Sequence, residues 1–235
     1  SYIDFIASIF YANFSFGNET FLNNSMVTTL SLPDFFQPSY LSTGTIKQAT
    51  VYHLLQQAHI FDILRKYSPC LAGTIPLKID TAESDADILC EVRNHKEFQE
   101  LLHREFGHYS HFQWHVSEKQ GLFVTVASFM LEGITTVDGA VKRAELRVEI
   151  FGQNKAVKEQ NGYRHLVVES RFLALADALH REFIRDDIRL LKLQGVKTEP
   201  AFAQYFGIGG NPYQALLDLY SATNDELVGI ILQKE

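Results

Sequence analysis

Two aspartates separated by one residue open an apolar run between residues 85 and 92. Side chains alternate along a β-strand, so Asp85 and Asp87 would project to one face of such a strand. The residues that would project to the other face are apolar, namely Ala86, Ile88, Cys90 and Val92. Carboxylates on one strand face repel each other unless a cation lies between them. The pattern therefore predicts a strand with one core face and one cation-binding face.

A third carboxylate on a neighbouring strand would complete a metal site. In the run "AELRVEIFG", the apolar residues Leu146, Val148 and Ile150 face one way, while Glu145 and Glu149 face the other. We take Glu149 as the third carboxylate, with Glu145 as a weaker choice. Mg²⁺, or Mn²⁺ in its place, prefers oxygen ligands of this kind. The two runs together predict a metal site at the face of a sheet.

A glycine and a hydroxyl residue, Gly73 and Thr74, precede the aspartates by a ten-residue loop. Glycine lets the backbone approach a ligand closely, and neighbouring N–H groups and a hydroxyl can hold phosphate oxygens. A metal-bridged triphosphate held by backbone donors is the arrangement expected for phosphoryl or nucleotidyl transfer. An acid-x-acid strand alone is more typical of solvated aspartates, and it is the glycine pair and the later glutamate that favour a site.

These motifs resemble the signature of the nucleotidyltransferase superfamily, the fold of DNA polymerase beta and the aminoglycoside nucleotidyltransferases. That signature is a Gly-Gly or Gly-Ser pair, a loop of similar length, an acid-x-acid pair and a later single acid. More closely, the chain resembles an uncharacterised bacterial family of that superfamily over about residues 40–220. The segments that carry this resemblance are "GTIPLKID", "SDADILCEV", "VEIFGQ", "QNGYRHLVVESR" and "KTEPAFAQYFG". Thr74 departs from the usual Ser or Gly but keeps a hydroxyl.

Position by position, the resemblance implies that Gly73 and Thr74 hold the triphosphate of an NTP donor. Asp85 and Asp87 would bind two Mg²⁺ ions, and Glu149 would bind the metal nearest the acceptor or act as its base. The implied reaction moves a nucleoside monophosphate onto a hydroxyl of a small-molecule or protein acceptor and releases pyrophosphate. The superfamily also contains members that keep the fold without the chemistry. A catalytically inactive nucleotide- or partner-binding module is therefore the alternative.

Three further residues are candidates for contact with the nucleotide. Gln153 follows Glu149 by four residues, at a strand end suited to a base or sugar contact. Arg164 and His165 start a helix, whose N-terminus attracts the phosphate of a nucleotide or acceptor, and local ion pairs at the surface are the alternative. A basic ridge on the next helix is typical of a solvated face, with triphosphate docking as the alternative; it comprises Arg181, Arg185, Arg189 and Lys192.

The order of the elements predicts an α+β fold, and the resemblance implies a nucleotidyltransferase-like mixed sheet flanked by helices, with a helical C-terminal part. We expect an aromatic-rich N-terminal extension over residues 1–40, an α/β core over 41–156 and a helical region over 157–235. The segment "STGT" offers N-caps for a helix of about 20 residues. Residues 94–106 predict a second helix, and the pattern turns helical again from about Glu159.

Two predictions concern the remaining strands. The segment "HFQWHV" predicts a half-buried strand whose inner residues are Phe112, Trp114 and Val116. Asp138 and Gly139 predict a hairpin turn between the strand "GLFVTVASFML" and the strand "AELRVEIFG".

Charge and hydrophobicity disfavour some classes of binding partner. The formal net charge of −7 disfavours a long nucleic acid held by many phosphate contacts. No apolar run reaches the roughly 20 residues that a membrane-spanning helix needs, so we expect no membrane partner. The cysteines, Cys70 and Cys90, lie in apolar runs and favour reduced, buried thiols in a cytoplasmic protein. The sequence leaves open whether the chain forms a homodimer.

Overall fold

The structure is a computed structural model that describes residues 30–119, 121–137 and 140–234. Most of the predicted N-terminal extension lies outside these residues, as does the predicted turn at Asp138 and Gly139. The described end of that segment belongs to the core, because Phe35 is buried and its carbonyl accepts a hydrogen bond of 2.9 Å from the Leu71 N–H. Among the described residues, no helix is long and apolar enough to cross a bilayer.

Five strands in the described residues form one mixed sheet in the order β1-β2-β5-β4-β3. They are β1 (Cys70–Ala72), β2 (Ala86–Glu91), β3 (Gln113–Lys119), β4 (Leu122–Val137) and β5 (Ala140–Gln153). Strands β2 and β5 are parallel, and the other neighbours are antiparallel. The two strands that carry the predicted acidic residues are therefore direct neighbours.

In the chain, helices come before the first strand, between β2 and β3, and after β5. The α-helices are α1 (Ile46–Gln57), α2 (Ile60–Ile63), α3 (His95–Phe106), α4 (Asn161–Ala178), α5 (Phe183–Leu193), α6 (Thr198–Phe206), α7 (Pro212–Asp218) and α8 (Asn224–Leu232). Short 3₁₀ turns cover Pro38–Thr43, Arg65–Tyr67, Val157–Glu159 and Leu219–Ser221. The predicted α+β fold, with a mixed sheet flanked by helices and a helical C-terminal part, is confirmed.

The two faces of the sheet pack against different sets of helices. On one face Ile88, Val148 and Ile150, all fully buried, share a core with residues of α1 and α3. The alternation predicted for β2 and β5 is thus confirmed. On the other face Cys70 and Leu89 share a core with residues of α4 to α8. The acidic residues of β2 and β5 belong to this second face, beside the C-terminal helices.

The prediction of one helix of about 20 residues after "STGT" was wrong, although its start was not. Thr45 is the N-cap of α1 and forms a capping box with Gln48. The helix ends at Gln57, and His59 then adopts a left-handed conformation with φ of 51°. A residue in that conformation cannot continue a right-handed helix. A second, four-residue helix, α2, therefore starts at Ile60.

The segment "HFQWHV" forms the predicted strand, but its predicted inner face is not buried. Trp114 and Val116 of β3 are 41% and 42% exposed. Strand β3 lies at the edge of the sheet, where it pairs only with β4 among the described strands. Trp114 instead contacts His103 of α3, with ring centroids 5.1 Å apart. Period-two alternation describes which side chains share a face and does not determine whether a helix covers that face.

Two arginines of the basic ridge, both on α5, bind the loop between the Gly73-Thr74 motif and the Asp85/Asp87 motif. Arg185 donates hydrogen bonds to the Leu77 carbonyl and, at 2.6 Å, to Asp177 Oδ2. Arg189 donates to the Asp80 carbonyl at 2.9 Å. The solvated face predicted for this ridge is confirmed for Arg189, which is exposed, and is wrong for Arg185, which is largely covered. Their charge-assisted hydrogen bonds attach the C-terminal helices to the loop that separates Thr74 from Asp85.

Replacing Arg185 with Met is expected to lower the free energy of unfolding by about 2 kcal/mol, because the Leu77 carbonyl loses its donor. Chemical denaturation would measure the change. Arg104→Met is the matched control, since Arg104 is 65% exposed and pairs with its neighbour Glu105. The control should change the stability by no more than about 0.5 kcal/mol. Equal losses in the two variants would show that the contact with the loop contributes nothing.

Candidate active site

A cavity of about 500 Å³ lies between the sheet and helices α4 and α6. Its wall includes six of the eight residues proposed from the sequence: Gly73, Thr74, Asp87, Glu149, Gln153 and His165. Asp85 and Arg164 are not part of the wall. The wall also contains polar residues that the sequence reasoning missed, among them Gln160, Glu169 and Glu199.

Asp87 and Glu149 form the acidic centre of the cavity. They are partners in the parallel register of β2 and β5, so their side chains leave adjacent strands side by side. Burial raises the pKa of Asp87 to about 7, with the negative charges of Glu149 and Asp85 adding to the effect. Lys192 opposes this increase. The apolar residues on the opposite face set the register and thereby place the two carboxyl groups together.

Gly73 lies directly against the Asp87 carboxyl group. Its φ of +76° is in the left-handed region that favours glycine. A Cβ added at this position would lie 2.1 Å from Asp87 Oδ2, a separation that real atoms do not tolerate. The absence of a side chain at Gly73 therefore makes room for the carboxyl group, which links the two sequence motifs in space.

Thr74 closes the loop that follows the glycine. Its hydroxyl donates to Ser84 Oγ at 3.0 Å, and its carbonyl accepts from the N–H groups of Leu77 and Ile79 at 3.2 and 3.3 Å. Ser84 Oγ also accepts from the Thr81 N–H at 2.9 Å. The hydroxyl that the sequence assigned to a phosphate thus holds both ends of the ten-residue loop together, at the wall of the cavity.

Asp85 lies one residue before β2 and faces a cation of the protein. Its Oδ2 is 3.6 Å from Arg147 Nε, a residue of β5. Burial raises the pKa of Asp85, and Arg147 partly counteracts that increase. Asp85 and Asp87 therefore differ in their surroundings: the first carboxyl group has an arginine beside it, and the second has Glu149.

The cavity contains two carboxyl groups that could bind a divalent ion, Asp87 and Glu149. In the described part of the chain, no group of three His, Cys, Asp or Glu side chains is arranged to hold a metal. Asp87 and Glu149 nevertheless fit one Mg²⁺ or Mn²⁺, because each offers hard oxygen ligands and their repulsion would be relieved by positive charge. Such an ion takes its other ligands from water and substrate phosphates.

His165 is held between two acceptors. Its Nε2 lies 2.9 Å from the Tyr213 carbonyl, and its Nδ1 lies 3.2 Å from Glu199 Oε1. Both ring nitrogens can donate to these oxygens only in the doubly protonated ring, so the two contacts favour the imidazolium form. Burial lowers the pKa of His165, but the hydrogen bonds to Glu199 and Tyr213 outweigh it and the pKa is raised. The same contact with His165 lowers the pKa of Glu199 against the effect of its own burial.

We expect an NMR titration to find the His165 pKa above the ordinary value of 6.5, with Glu199→Gln bringing it down. Because the pKa is raised in the folded state, stability from the pair is fully present below about 6.5 and is lost as the pH rises through the folded pKa. Glu182→Gln, at a glutamate that is 67% exposed, is the matched control and should leave the His165 titration unchanged. If the His165 pKa is the same in Glu199→Gln as in the wild type, the two residues do not form an ion pair.

The other two predicted residues occupy different surroundings. Gln153 ends β5 at the cavity wall, and its carbonyl accepts from the Val92 N–H at 2.6 Å. Arg164 turns away from the cavity, with its guanidinium carbon 5.3 Å from the centroid of the Tyr220 ring. Neighbouring helix residues project about 100° apart, which is consistent with Arg164 and His165 contacting different groups. The structure therefore brings only His165 of this pair to the candidate site.

The residues that the sequence reasoning missed come mostly from α4 and its N-cap. Glu169 follows His165 by four residues and is 4% exposed. Residues at this spacing share a helix face. A second polar residue on the buried face that carries His165 is a signal that could have identified Glu169. Gln160, the N-cap of α4, donates at 2.9 Å to the carbonyls of Cys90 and Lys155. It joins the start of the helix to the strand that carries Asp87.

The fold and the cavity together define an α+β protein with a cavity that contains acidic residues under its C-terminal helices. The family model described as "Domain of unknown function (DUF4269)" matches residues 53–219. This range is more than half of the 235 residues, and the chain belongs to that family. The matched residues contain every residue proposed for the site. No curated protein matches the chain.

Solved structures of Cid1 poly(U) polymerase are similar to the chain. One, with Mg and 3′-dATP bound, has a TM-score of 0.41 at 13% identity, over 73% of this chain and 48% of that chain. Another, with MgGTP bound, has a TM-score of 0.39 at 11% identity, over 82% of this chain and 51% of that chain. The chain thus spans about half the length of these structures. At these TM-scores the likeness carries no weight for function.

Proposed function

We propose that the protein is a metal-dependent nucleotidyltransferase that moves a nucleoside monophosphate from an NTP to a hydroxyl of a small-molecule or protein acceptor. The observation that carries this proposal is the pairing of Asp87 with Glu149 in the wall of a cavity, directly beside Gly73. Two carboxyl groups on neighbouring strands that repel each other require a cation or a proton between them. An NTP with its divalent ion supplies that cation.

The proposed reaction uses five residues of the cavity wall: Gly73, Thr74, Asp87, Glu149 and Lys155. Asp87 would hold the ion, and Glu149 would either hold it too or act as the base that takes the proton of the acceptor hydroxyl. The acceptor oxygen bonds to the α-phosphorus while the α–β phosphoanhydride bond breaks and releases pyrophosphate. A bound Mg²⁺ or Mn²⁺ supplies positive charge for the acceptor oxygen and the leaving pyrophosphate. Gly73 and Thr74 present their backbone at the cavity wall, and Lys155 of the same wall offers a cation to the phosphates. Asp85 joins the metal site only if it leaves Arg147.

The charge of the protein favours particular acceptors. A net charge of −7 suits a small or cationic acceptor, such as an amine-rich molecule, and disfavours a long nucleic acid. A hydroxyl on another protein satisfies the same chemistry. Cys70 and Cys90 are buried free thiols, which suits the reducing environment of the cytoplasm.

A second function, that of a catalytically inactive nucleotide-binding module, has its own observation. Asp85 is paired with Arg147, and the described residues contain no group of three arranged metal ligands. A protein of this kind would bind an NTP without transferring the nucleotide. Binding and transfer therefore need separate measurements.

Thermal unfolding with ATP, GTP, CTP and UTP, each with and without Mg²⁺ or Mn²⁺, tests the proposal. A ligand that binds only the folded state adds about 2.7 kcal/mol at 100 times its dissociation constant, so the midpoint must rise. We expect a metal-dependent increase with at least one nucleotide. Release of pyrophosphate in the presence of candidate acceptors then separates the enzyme from the inactive module. No increase with any nucleotide and metal would refute both functions.

A further inference from the structure

One wall of the cavity contains a buried carboxyl group that lacks a partner. Glu169 lies on α4, one turn after His165, and is 4% exposed. Its Oε1 makes no hydrogen bond within the described residues. An unsatisfied buried polar atom costs about 1–3 kcal/mol, so such atoms in folded proteins usually have a function. Glu169 also lines the cavity, so a bound ligand can supply the missing partner once the carboxyl group turns toward it.

The surroundings of Glu169 determine what it can bind. Burial, and then the nearby charge of Glu199, raise the pKa of Glu169 well above its ordinary value, and Lys192 opposes them. The protonated form of Glu169, which donates one hydrogen bond and accepts another, is therefore favoured. A ligand group with a donor next to an acceptor complements it.

A second residue of the cavity wall, Gln160, also has a buried oxygen without a hydrogen bond among the described residues. Gln160 is 1% exposed, and both of its hydrogen bonds are made by Nε2, which leaves Oε1 as an acceptor without a donor. Between the polar groups the wall is apolar, with Leu89, Phe151 and Leu166. A flat heterocycle with polar edges matches this combination, because its faces pack on apolar side chains and its edges form hydrogen bonds.

We propose that this wall is a nucleobase subsite, in which Glu169 hydrogen-bonds the donor–acceptor edge of the base. The inference rests on the proposed function and adds that the C-terminal helices contact the base of the nucleotide. The triphosphate then lies toward Asp87 and Glu149, and the base lies against α4. Glu169 contacts the base alone and takes no part in holding the metal.

Isothermal titration calorimetry with two ligands tests this assignment. One ligand is the NTP that gives the largest stabilisation of the wild-type protein, and the other is inorganic tripolyphosphate, which has no base; both are added with Mg²⁺. Glu169→Gln keeps a donor and an acceptor, whereas Glu169→Leu removes both. Glu100→Leu, at an exposed glutamate of α3, is the matched control.

We expect Glu169→Leu to weaken NTP binding roughly 10-fold or more, because it leaves the base edge unpaired. Glu169→Gln should lose less NTP affinity than Glu169→Leu, because it keeps a donor and an acceptor. Glu100→Leu should bind NTP as the wild type does, and all four proteins should bind tripolyphosphate equally. Unligated Glu169→Leu should unfold at or above the wild-type midpoint, since the change removes an unsatisfied buried group.

Three outcomes would overturn the assignment. If Glu169→Leu binds NTP as tightly as the wild type, Glu169 does not contact the base, and the proposed function still stands. If NTP and tripolyphosphate lose affinity equally, Glu169 has a structural role in the whole cavity. If the wild type binds neither ligand, the proposed function fails and the subsite fails with it.

Discussion

Asp87→Asn is expected to abolish metal-dependent NTP binding and nucleotidyl transfer, and to make the unligated protein more stable. The amide keeps the shape of the side chain but removes the negative charge that faces Glu149. Transfer should fall by roughly 10³-fold or more, because the site loses one of the two carboxylates that hold the ion. Metal-dependent thermal stabilisation by NTP should disappear in the same variant.

The gain in stability follows from the pKa of Asp87. Burial and the charges of Glu149 and Asp85 raise this pKa from 3.8 to about 7, so ionised Asp87 is disfavoured in the folded protein. Its contribution to stability is present in full below about 4 and is lost as the pH rises through about 7. Asp87→Asn removes this loss, and at pH 8 it should be more stable than the wild type by on the order of 2 kcal/mol.

Denaturation at pH 4 and pH 8, without metal, measures this difference. Asp186→Asn, at an exposed aspartate of α5, is the matched control and should show no comparable dependence on pH. Adding Mg²⁺ to the wild type at pH 8 should recover part of the lost stability, because the ion separates the two carboxylates. If Asp87→Asn binds NTP and Mg²⁺ as the wild type does, the assignment of the metal site is wrong.

Gly73→Ala is expected to disrupt the site and to destabilise the fold. The new Cβ would lie 2.1 Å from Asp87 Oδ2, so either the strand end or the carboxyl group must move. The φ of +76° adds strain for any residue with a side chain. We expect a loss of roughly 2–3 kcal/mol in the free energy of unfolding. Transfer should fall by roughly 100-fold, because small misplacements of catalytic groups have effects of this size.

Gly207→Ala separates the strain from the contact with Asp87. Gly207 has a similar φ of +67°, but a Cβ there would meet nothing within 4 Å. Gly207→Ala should lower the free energy of unfolding by only about 1 kcal/mol and leave nucleotidyl transfer unchanged. A second comparison places Gly73→Ala in an Asp87→Ala background, where the opposing carboxyl group is absent. Its effect on stability should shrink there to that of Gly207→Ala, and an undiminished effect would show that the contact is unimportant.

The sequence by itself determined the local elements and the spacing of the motifs. Alternation in residues 85–92 and around Glu149 predicted two strands with one apolar face each, and Ile88, Val148 and Ile150 are fully buried. This succeeded because side-chain direction along a strand follows from backbone geometry alone. The resemblance added that these strands would lie in one mixed sheet, which the structure confirms.

Tertiary structure alone decided which polar groups meet. Asp85 lies just before β2 with Arg147 beside it, while Asp87 of β2 borders the cavity. Adjacent positions on α4 turn Arg164 toward Tyr220 and His165 toward Glu199. Glu169 is buried without a partner because α4 packs over the sheet, and no local pattern contains that contact. Charge, burial and partner depend on residues distant in the chain, so their effects on pKa and binding arise only in the folded protein.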